Sequence, residues 1–233
     1  MLQLKGLESG YGNKKVLNDI HCEIEEDSIV GIIGHNGAGK STLLHTMFGL
    51  IRPWAGKIIY RGEDLSNQSV AARVQRGIRL LPSSHSIFPG LSVDENIRLV
   101  EEQVRSIQKG DMIFQAHSVY DLFPELQVKR KQPAGNLSGG QQRMLAVGMG
   151  LIGRPRLLLL DELSIGLAPA LVQRILETLL SLSRQYHFGM VIVEQNVGEL
   201  QAICDRLLIM RNGTFIEDRR AHEISVEELW ELF

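Results

Sequence analysis

Apolar residues fall along this chain in two rhythms. Near the start, LQLKGLES and KKVLNDIHCEIEED alternate apolar with polar positions. That is the period of a strand with one wet face, and it predicts an antiparallel patch. Further on come short, mostly apolar runs: IVGII (29–33), KIIY (57–60), GIRLL (77–81), RLLLLD (156–161) and GMVIV (189–193). These read as strands buried on both faces. Amphipathic helical periods separate them, clearest at 170–183. The alternation predicts an α/β domain with a largely parallel core sheet. Residues 93–151 lack strand character and read as mainly helical, a subdomain inserted in the sheet domain. The polar, Gly- and Pro-bearing segments SSHSIFPGLS and KRKQPAGN connect it at either side. The expected division is a core of about 1–82 and 152–233 around a helical subdomain of about 83–151, all within one domain. The last stretch, NGTFIEDRRAHEISVEELWELF, is expected to form one strand pair and a closing helix.

With 233 residues and no internal repeat, the chain can bury a full core around one copy of its unit. The net charge of −2 gives no basic excess, so nucleic acid is not an expected partner. No apolar run approaches the ~20 residues that span a bilayer. The opening MLQLKGLE has neither the charged start nor the apolar run of a secretory signal. Cys22 and Cys204 form no metal-ligand spacing and read as reduced core thiols. A cytoplasmic location is the expectation.

The chemistry gathers at GHNGAGKS (34–41), which fits G-x-x-x-x-G-K-[ST] with an apolar strand before it and a helix after it. Gly34, Gly37 and Gly39 let the backbone turn tightly and aim N–H groups at phosphate oxygens. The helix start adds the positive end of its dipole. Lys40 reaches the β- and γ-phosphates as a point charge, and the Ser41 hydroxyl suits Mg²⁺. A plain glycine turn with a surface lysine is the alternative, and the flanking strand and helix argue against it. RLLLLDE ends a buried strand in two acids. Asp161 suits the Mg²⁺ shell, and Glu162 suits orientation of an attacking water. No guanine-selecting N-K-x-D sequence is present. The residues support a P-loop nucleoside-triphosphatase, a class of kinases, GTPases, helicases and transport motors, and the missing sequence weighs against a GTPase.

LSGGQ (137–141) is a second glycine turn opening a helix. It resembles the signature of the ABC-transporter ATPase family, and the resemblance covers nearly the whole chain. In that family two subunits pack head to tail. Each nucleotide lies between the first loop of one subunit and the second loop of the other. The resemblance implies that Gly34, His35, Asn36, Gly37, Ala38, Gly39, Lys40, Ser41 and Thr42 cradle ATP from one side. Ser138, Gly139, Gly140 and Gln141 would close it from the opposing subunit. Tyr11, in SGYGNKKVL, sits where the family stacks an aromatic ring on adenine, with core packing as its rival role. Glu162, Lys40 and Gln195 are the implied catalytic set; Ser41, Asp161 and Ser83 are the implied Mg²⁺ set. SIGLAP, VEQN, FPGLSVDENI and DLFPEL look like the subgroup serving branched-chain amino-acid uptake. The implied partners are a second ATPase subunit, two membrane permeases and, indirectly, an external solute-binding protein. The implied location is the cytoplasmic face of the membrane.

Four positions depart from the pattern. Ser83 stands where the family has Gln or Glu on the metal and water, with His85 nearby as a substitute. Gln195 replaces the usual switch histidine, as is common in this subgroup. Leu163 replaces a proline after the acids. Ala168 occupies a position that is usually Asp. A non-hydrolytic nucleotide-binding partner and an export ATPase are the rival readings; urea or amides are rival solutes. DNA-maintenance and translation ATPases are disfavoured by the lack of long heptads and of a second cassette. Phe88, Leu91 and Val93 are expected to line a groove for a permease helix, or else to be core.

Overall fold

The structure is a computed structural model describing residues 1–84, 86–108, 112–195, 197–225 and 228. The chain opens with β1 (Leu2–Tyr11), β2 (Lys14–Ile24), β3 (Ile29–Ile33), α1 (Lys40–Phe48), β4 (Ala55–Tyr60), β5 (Glu63–Asp64), α2 (Val70–Gln75) and β6 (Ile78–Leu81). A helical stretch follows: α3 (Val93–Ile107), α4 (Ala116–Leu122), α5 (Pro124–Val128) and α6 (Gly139–Leu151). Then come β7 (Leu157–Asp161), α7 (Pro169–Tyr186), β8 (Gly189–Val193), α8 (Val197–Ile203), β9 (Arg206–Arg211) and β10 (Thr214–Arg220).

Two sheets result. The first has the order β2-β1-β4-β5 and is antiparallel throughout. Leu2, Leu4 and Leu7 of β1 turn inward, while the intervening Gln3 and Lys5 are less buried. The second has the order β10-β9-β3-β8-β7-β6; five strands run parallel, and β10 returns antiparallel along β9. The unbroken apolar runs belong to this sheet because both its faces are covered. Ile29, Ile33, Leu158 and Leu160 pack toward one core, while Val30, Ile32, Leu157 and Leu159 pack toward the other.

The register sets the site. β3, β8 and β7 are neighbours, with Ile32 paired to Val193 and Val193 to Asp161. Their carboxyl ends therefore lie side by side, and three chain exits converge on one edge.

The helical insertion between β6 and β7 is confirmed, with α3 and α6 started by capping boxes at Ser92–Glu95 and Ser138–Gln141. Two expectations need correction. KIIY does not join the parallel sheet: β4 pairs antiparallel with β1 and β5. The terminal strand pair is formed by β9 and β10, so its first strand lies before the stretch in which the pair was expected. The expected closing helix falls on 226–233, which apart from Glu228 lie outside the described residues. Val93 is fully buried core, whereas Phe88 is 49% exposed and Leu91 half-buried. Of the three, then, Val93 is not a groove residue.

Arg73 locks the far end of α1. Its guanidinium is buried and donates to the Thr46, Met47 and Leu65 carbonyls at 3.0, 2.6 and 2.6 Å. These include carbonyls that the end of a helix leaves unpaired. Gly49, at φ +90°, ends the helix and leaves room for that group; a Cβ there would lie 2.8 Å from Arg73 Nε. Arg73→Met keeps the apolar stem and removes one donor from each carbonyl, while Thr46 and Leu65 keep the Gly49 and Gln68 N–H groups at 3.1 and 3.0 Å. It should lower unfolding stability by about 2–4 kcal/mol in urea titrations. A loss below about 0.5 kcal/mol would show that water replaces the guanidinium at no cost.

Candidate functional site

The exit of β3 turns through residues 34–39 into α1. A Cβ on Gly34 would lie 2.2 Å from the Met210 carbonyl oxygen, so only glycine fits. Gly37 and Gly39 take φ of +84° and +111°, the left-handed region that glycine enters without strain. No side chain caps α1, so its first-turn N–H groups are left to whatever sits in front of them. Lys40 is 4% exposed, and its ammonium donates to the Gly34 and His35 carbonyls at 2.6 and 3.1 Å. Burial holds its pKa below the ordinary lysine value, partly offset by Glu162, Asp161 and Glu194. Ser41 Oγ donates to Asp161 Oδ1 at 2.9 Å. Asp161 is itself buried, and that burial raises its pKa against the Ser41 hydrogen bond.

Glu162 follows in a left-handed conformation, φ +44°, and its N–H donates to the Val193 carbonyl at 2.9 Å. Such a backbone persists in a non-glycine residue where its surroundings over-determine it. The carboxylate accepts from Gln195 Nε2 at 3.0 Å. Tyr11 is 52% exposed where β1 ends, which rules out the core role. Tyr11, Lys15, Asn36, Lys40, Thr42 and Glu162 are among the residues lining a cleft of about 440 Å³.

Ser138, Gly139, Gly140 and Gln141 are not among the residues lining that cleft. Ser138 caps α6, accepting from Gln141 N at 3.3 Å. Gln141 Oε1 accepts from Ser138 N and Lys129 Nζ at 3.2 and 3.1 Å, so this oxygen is already engaged within the chain. Gly139 lies instead on a second cleft of about 480 Å³, with Ser83, Gln142, Arg143, Ile165 and Gly166. The structure therefore brings Lys40, Ser41, Asp161, Glu162 and Gln195 together and leaves the second glycine turn elsewhere. Ser83 lines the second cleft, and Arg143 ties the carbonyl of its neighbour Pro82 to those of Asp161 and Glu162, so it leaves β6 beside the acids. His85 and Asn196 lie outside the described residues.

Sequence reasoning missed two buried charges. Arg143 donates to the Pro82, Asp161 and Glu162 carbonyls at 2.7, 3.2 and 3.1 Å. It thereby ties α6 to the ends of β6 and β7. Burial lowers its pKa, with Glu194 and Asp161 opposing. A signal existed: Arg143 shares the apolar face of α6, four residues before Val147 and eight before Leu151. Glu194 is 1% exposed and continues the buried run of β8.

Asp161 sets a pH dependence in the nucleotide-free protein. Its folded pKa is raised, so between the ordinary carboxylate value and that raised value the native state holds a proton that the unfolded chain releases. Stability from this group falls as pH climbs through that window. Lys40, with its lowered pKa, acts with the opposite slope and in an alkaline window. Asp161→Asn should flatten the acidic part of the stability profile and raise the urea midpoint at pH 7. An unchanged profile would show that the buried carboxylate carries no such cost.

Comparison with known proteins agrees with this geometry. A sequence profile described as ABC transporter matches residues 17–164. The high-affinity branched-chain amino acid transport ATP-binding protein BraG of Pseudomonas aeruginosa is 37% identical over 93% of this chain and 91% of its own. The probable branched-chain amino acid transport ATP-binding protein LivF of Archaeoglobus fulgidus is 32% identical, over 99% and 97%. The lipopolysaccharide export system ATP-binding protein LptB of Escherichia coli K12 is 33% identical, over 97% and 93%. Among solved structures, a dimeric post-hydrolysis ATP-binding cassette bound to ADP and Pi superposes with a TM-score of 0.83. It is 20% identical and covers 95% of this chain and 99% of that one. A loop that fits phosphate, two acids beside it, and a matching profile over more than half the length converge on one conclusion: this chain belongs to the ABC transporter family, as an ATP-binding ATPase subunit.

Proposed function

We propose that two copies of such a cassette close head to tail on ATP, and that turnover drives a membrane permease for branched-chain amino acids. The observation that carries the pairing is the separation of the two glycine turns. One opens on the cleft of Lys40 and Glu162, the other on the cleft of Ser83 and Ile165. On this reading a triphosphate held in the first cleft is closed by the second turn of the opposite subunit. The working division is a core of about 1–82 and 152–233 with a helical subdomain of about 83–151 facing the permease.

The residues fit the roles. Residues 34–42 cradle the phosphates, and the Lys40 ammonium exchanges its carbonyl partners for phosphate oxygens. Tyr11 offers its exposed ring to the adenine. Ser41 and Asp161 present two hard oxygen donors 2.9 Å apart, the donor set that suits Mg²⁺. When bound there, Mg²⁺ neutralises charge on the β- and γ-phosphates. Glu162 accepts a hydrogen bond from the attacking water and orients it in line. Gln195 holds that carboxylate and donates toward the γ-phosphate without changing its own charge. Ser83, short and uncharged, would reach the metal through a bridging water.

Among the described residues no helix is long and apolar enough to cross a membrane, so separate permease chains would supply the span. On this reading the subunit works at the cytoplasmic face. The solute reading follows the two branched-chain relatives. The match to an export ATPase keeps lipopolysaccharide export as the second reading. Stimulation of ATP hydrolysis in the purified complex by leucine-loaded binding protein supports uptake; stimulation only by lipopolysaccharide overturns it.

Two variants test the site. Glu162→Gln should cut kcat at least about 100-fold and accumulate ATP-bound pairs in sedimentation. Ser138→Arg should leave ATP affinity of the single subunit within about two-fold while abolishing pairing and turnover. Wild-type turnover in Ser138→Arg would remove the second glycine turn from the mechanism.

A further inference from the structure

Glu194 is one of two carboxylates buried to within 2% exposure among the described residues; Asp161 is the other. Unlike Asp161, it has no role in the site as derived so far. Its Oε1 accepts from the Ser164 backbone N–H at 2.8 Å, and its Oε2 accepts from Ser164 Oγ at 2.6 Å. Both oxygens grip one residue. The next residue, Gln195, donates to Glu162 Oε1 at 3.0 Å. Two consecutive residues leaving β8 thus hold two positions, 162 and 164, leaving β7. Trans peptide geometry fixes consecutive Cα atoms about 3.8 Å apart, so neither grip moves far without the other.

The consequence lies past Ser164. Ile165 is 57% exposed, and Gly166 turns at φ +72°. With Leu167 they line the second cleft, together with Gly139 and Gln142. The backbone N–H of Ser164 bonds the neighbouring strand exit just before that exposed run. Charge-assisted bonds of this kind are short and strong, and a buried carboxylate that loses them is costly. The two buried cations of the site, Lys40 and Arg143, both lie within electrostatic reach of Glu194.

We propose that Glu194 is a positioning residue: through its two-point hold on Ser164 it locks the 164–169 segment, and with it one wall of the second cleft, to the strand exit that carries Gln195. This rests on the reading that the second cleft meets an opposing cassette. A shift of Gln195 when the phosphate changes is then passed to that wall through one peptide bond. Chemistry in one cleft is reported at the subunit face without contact between the two clefts.

The test uses the full chain with Glu194→Gln, Ser164→Ala and the double variant. Three quantities are measured: amide exchange at Ser164, affinity of the single subunit for a fluorescent ATP analogue, and kcat. Glu194→Gln should speed exchange at Ser164 at least about ten-fold and lower kcat roughly 10- to 100-fold, with analogue affinity within about two-fold. Ser164→Ala should lower kcat about three- to ten-fold, and the double variant should be no worse than Glu194→Gln alone within about two-fold. Wild-type kcat in a folded Glu194→Gln, additive losses in the double variant, or unchanged exchange at Ser164 would each overturn the proposal. So would equal losses of affinity and kcat that track thermal stability. If Glu194→Gln fails to fold, Ser164→Ala decides on the same exchange and kcat-against-affinity readouts. A wild-type chain without turnover would refute the ATPase reading instead, and exchange at Ser164 would still decide the hold.

Discussion

A phosphate group binds where backbone N–H groups converge, and a compact chain can bring only a few of them to one point. Two glycine-rich turns in this molecule each open a helix, α1 and α6. The β3–α1 turn needs Gly34 because the Met210 carbonyl passes 2.2 Å from where a Cβ would be. That close approach anchors the loop against β9 and fixes which way its N–H groups face. The start of α6 is tied differently: its capping box and the Arg143 bonds hold it beside the ends of β6 and β7, facing another cleft. The rest of the molecule follows from keeping these two points rigid and apart.

Rigidity comes from the parallel sheet. Because β3, β8 and β7 are adjacent and in register, Lys40, Asp161, Glu162, Glu194 and Gln195 reach one edge from three strands. The charges there are mixed: Lys40 and Arg143 among Asp161, Glu162 and Glu194. Each is buried or half-buried, and the resolved shifts in pKa are led by loss of water. Such a cluster is costly to fold, and the raised Asp161 is one sign of that cost. Sites that bind a charged ligand commonly carry strain of this kind, which the ligand relieves.

Most of the parallel sheet was legible in the sequence, because a strand buried on both faces writes an unbroken apolar run. IVGII, RLLLLD and GMVIV lie where expected. KIIY was legible as a strand but not as a member of the right sheet; a lysine and three apolar or aromatic residues carry no record of which neighbour they pair with. β9, RLLIMR, was overlooked because a charge at each end makes it resemble a helix-to-loop passage. The first glycine loop and its two acids were legible because each position needs one residue type for a steric or charge reason. Arg143 was signalled only by its place on the apolar face of α6, and Glu194 was not signalled. Charged residues are usually solvated, and only the fold reveals that carbonyls and a serine replace the water around them.

The central claim is that one subunit's phosphate loop works with the other subunit's glycine turn. Mixing two inactive chains tests it most directly. One carries Lys40→Met and the other Ser138→Arg, and ATP turnover of the equilibrated mixture is measured. In a head-to-tail pair, each mixed dimer regains one site with both elements intact, so the account predicts hydrolysis that neither chain shows alone. If the mixture stays as inactive as its components while mixed dimers are shown to form, the two elements act within one chain and the account is wrong.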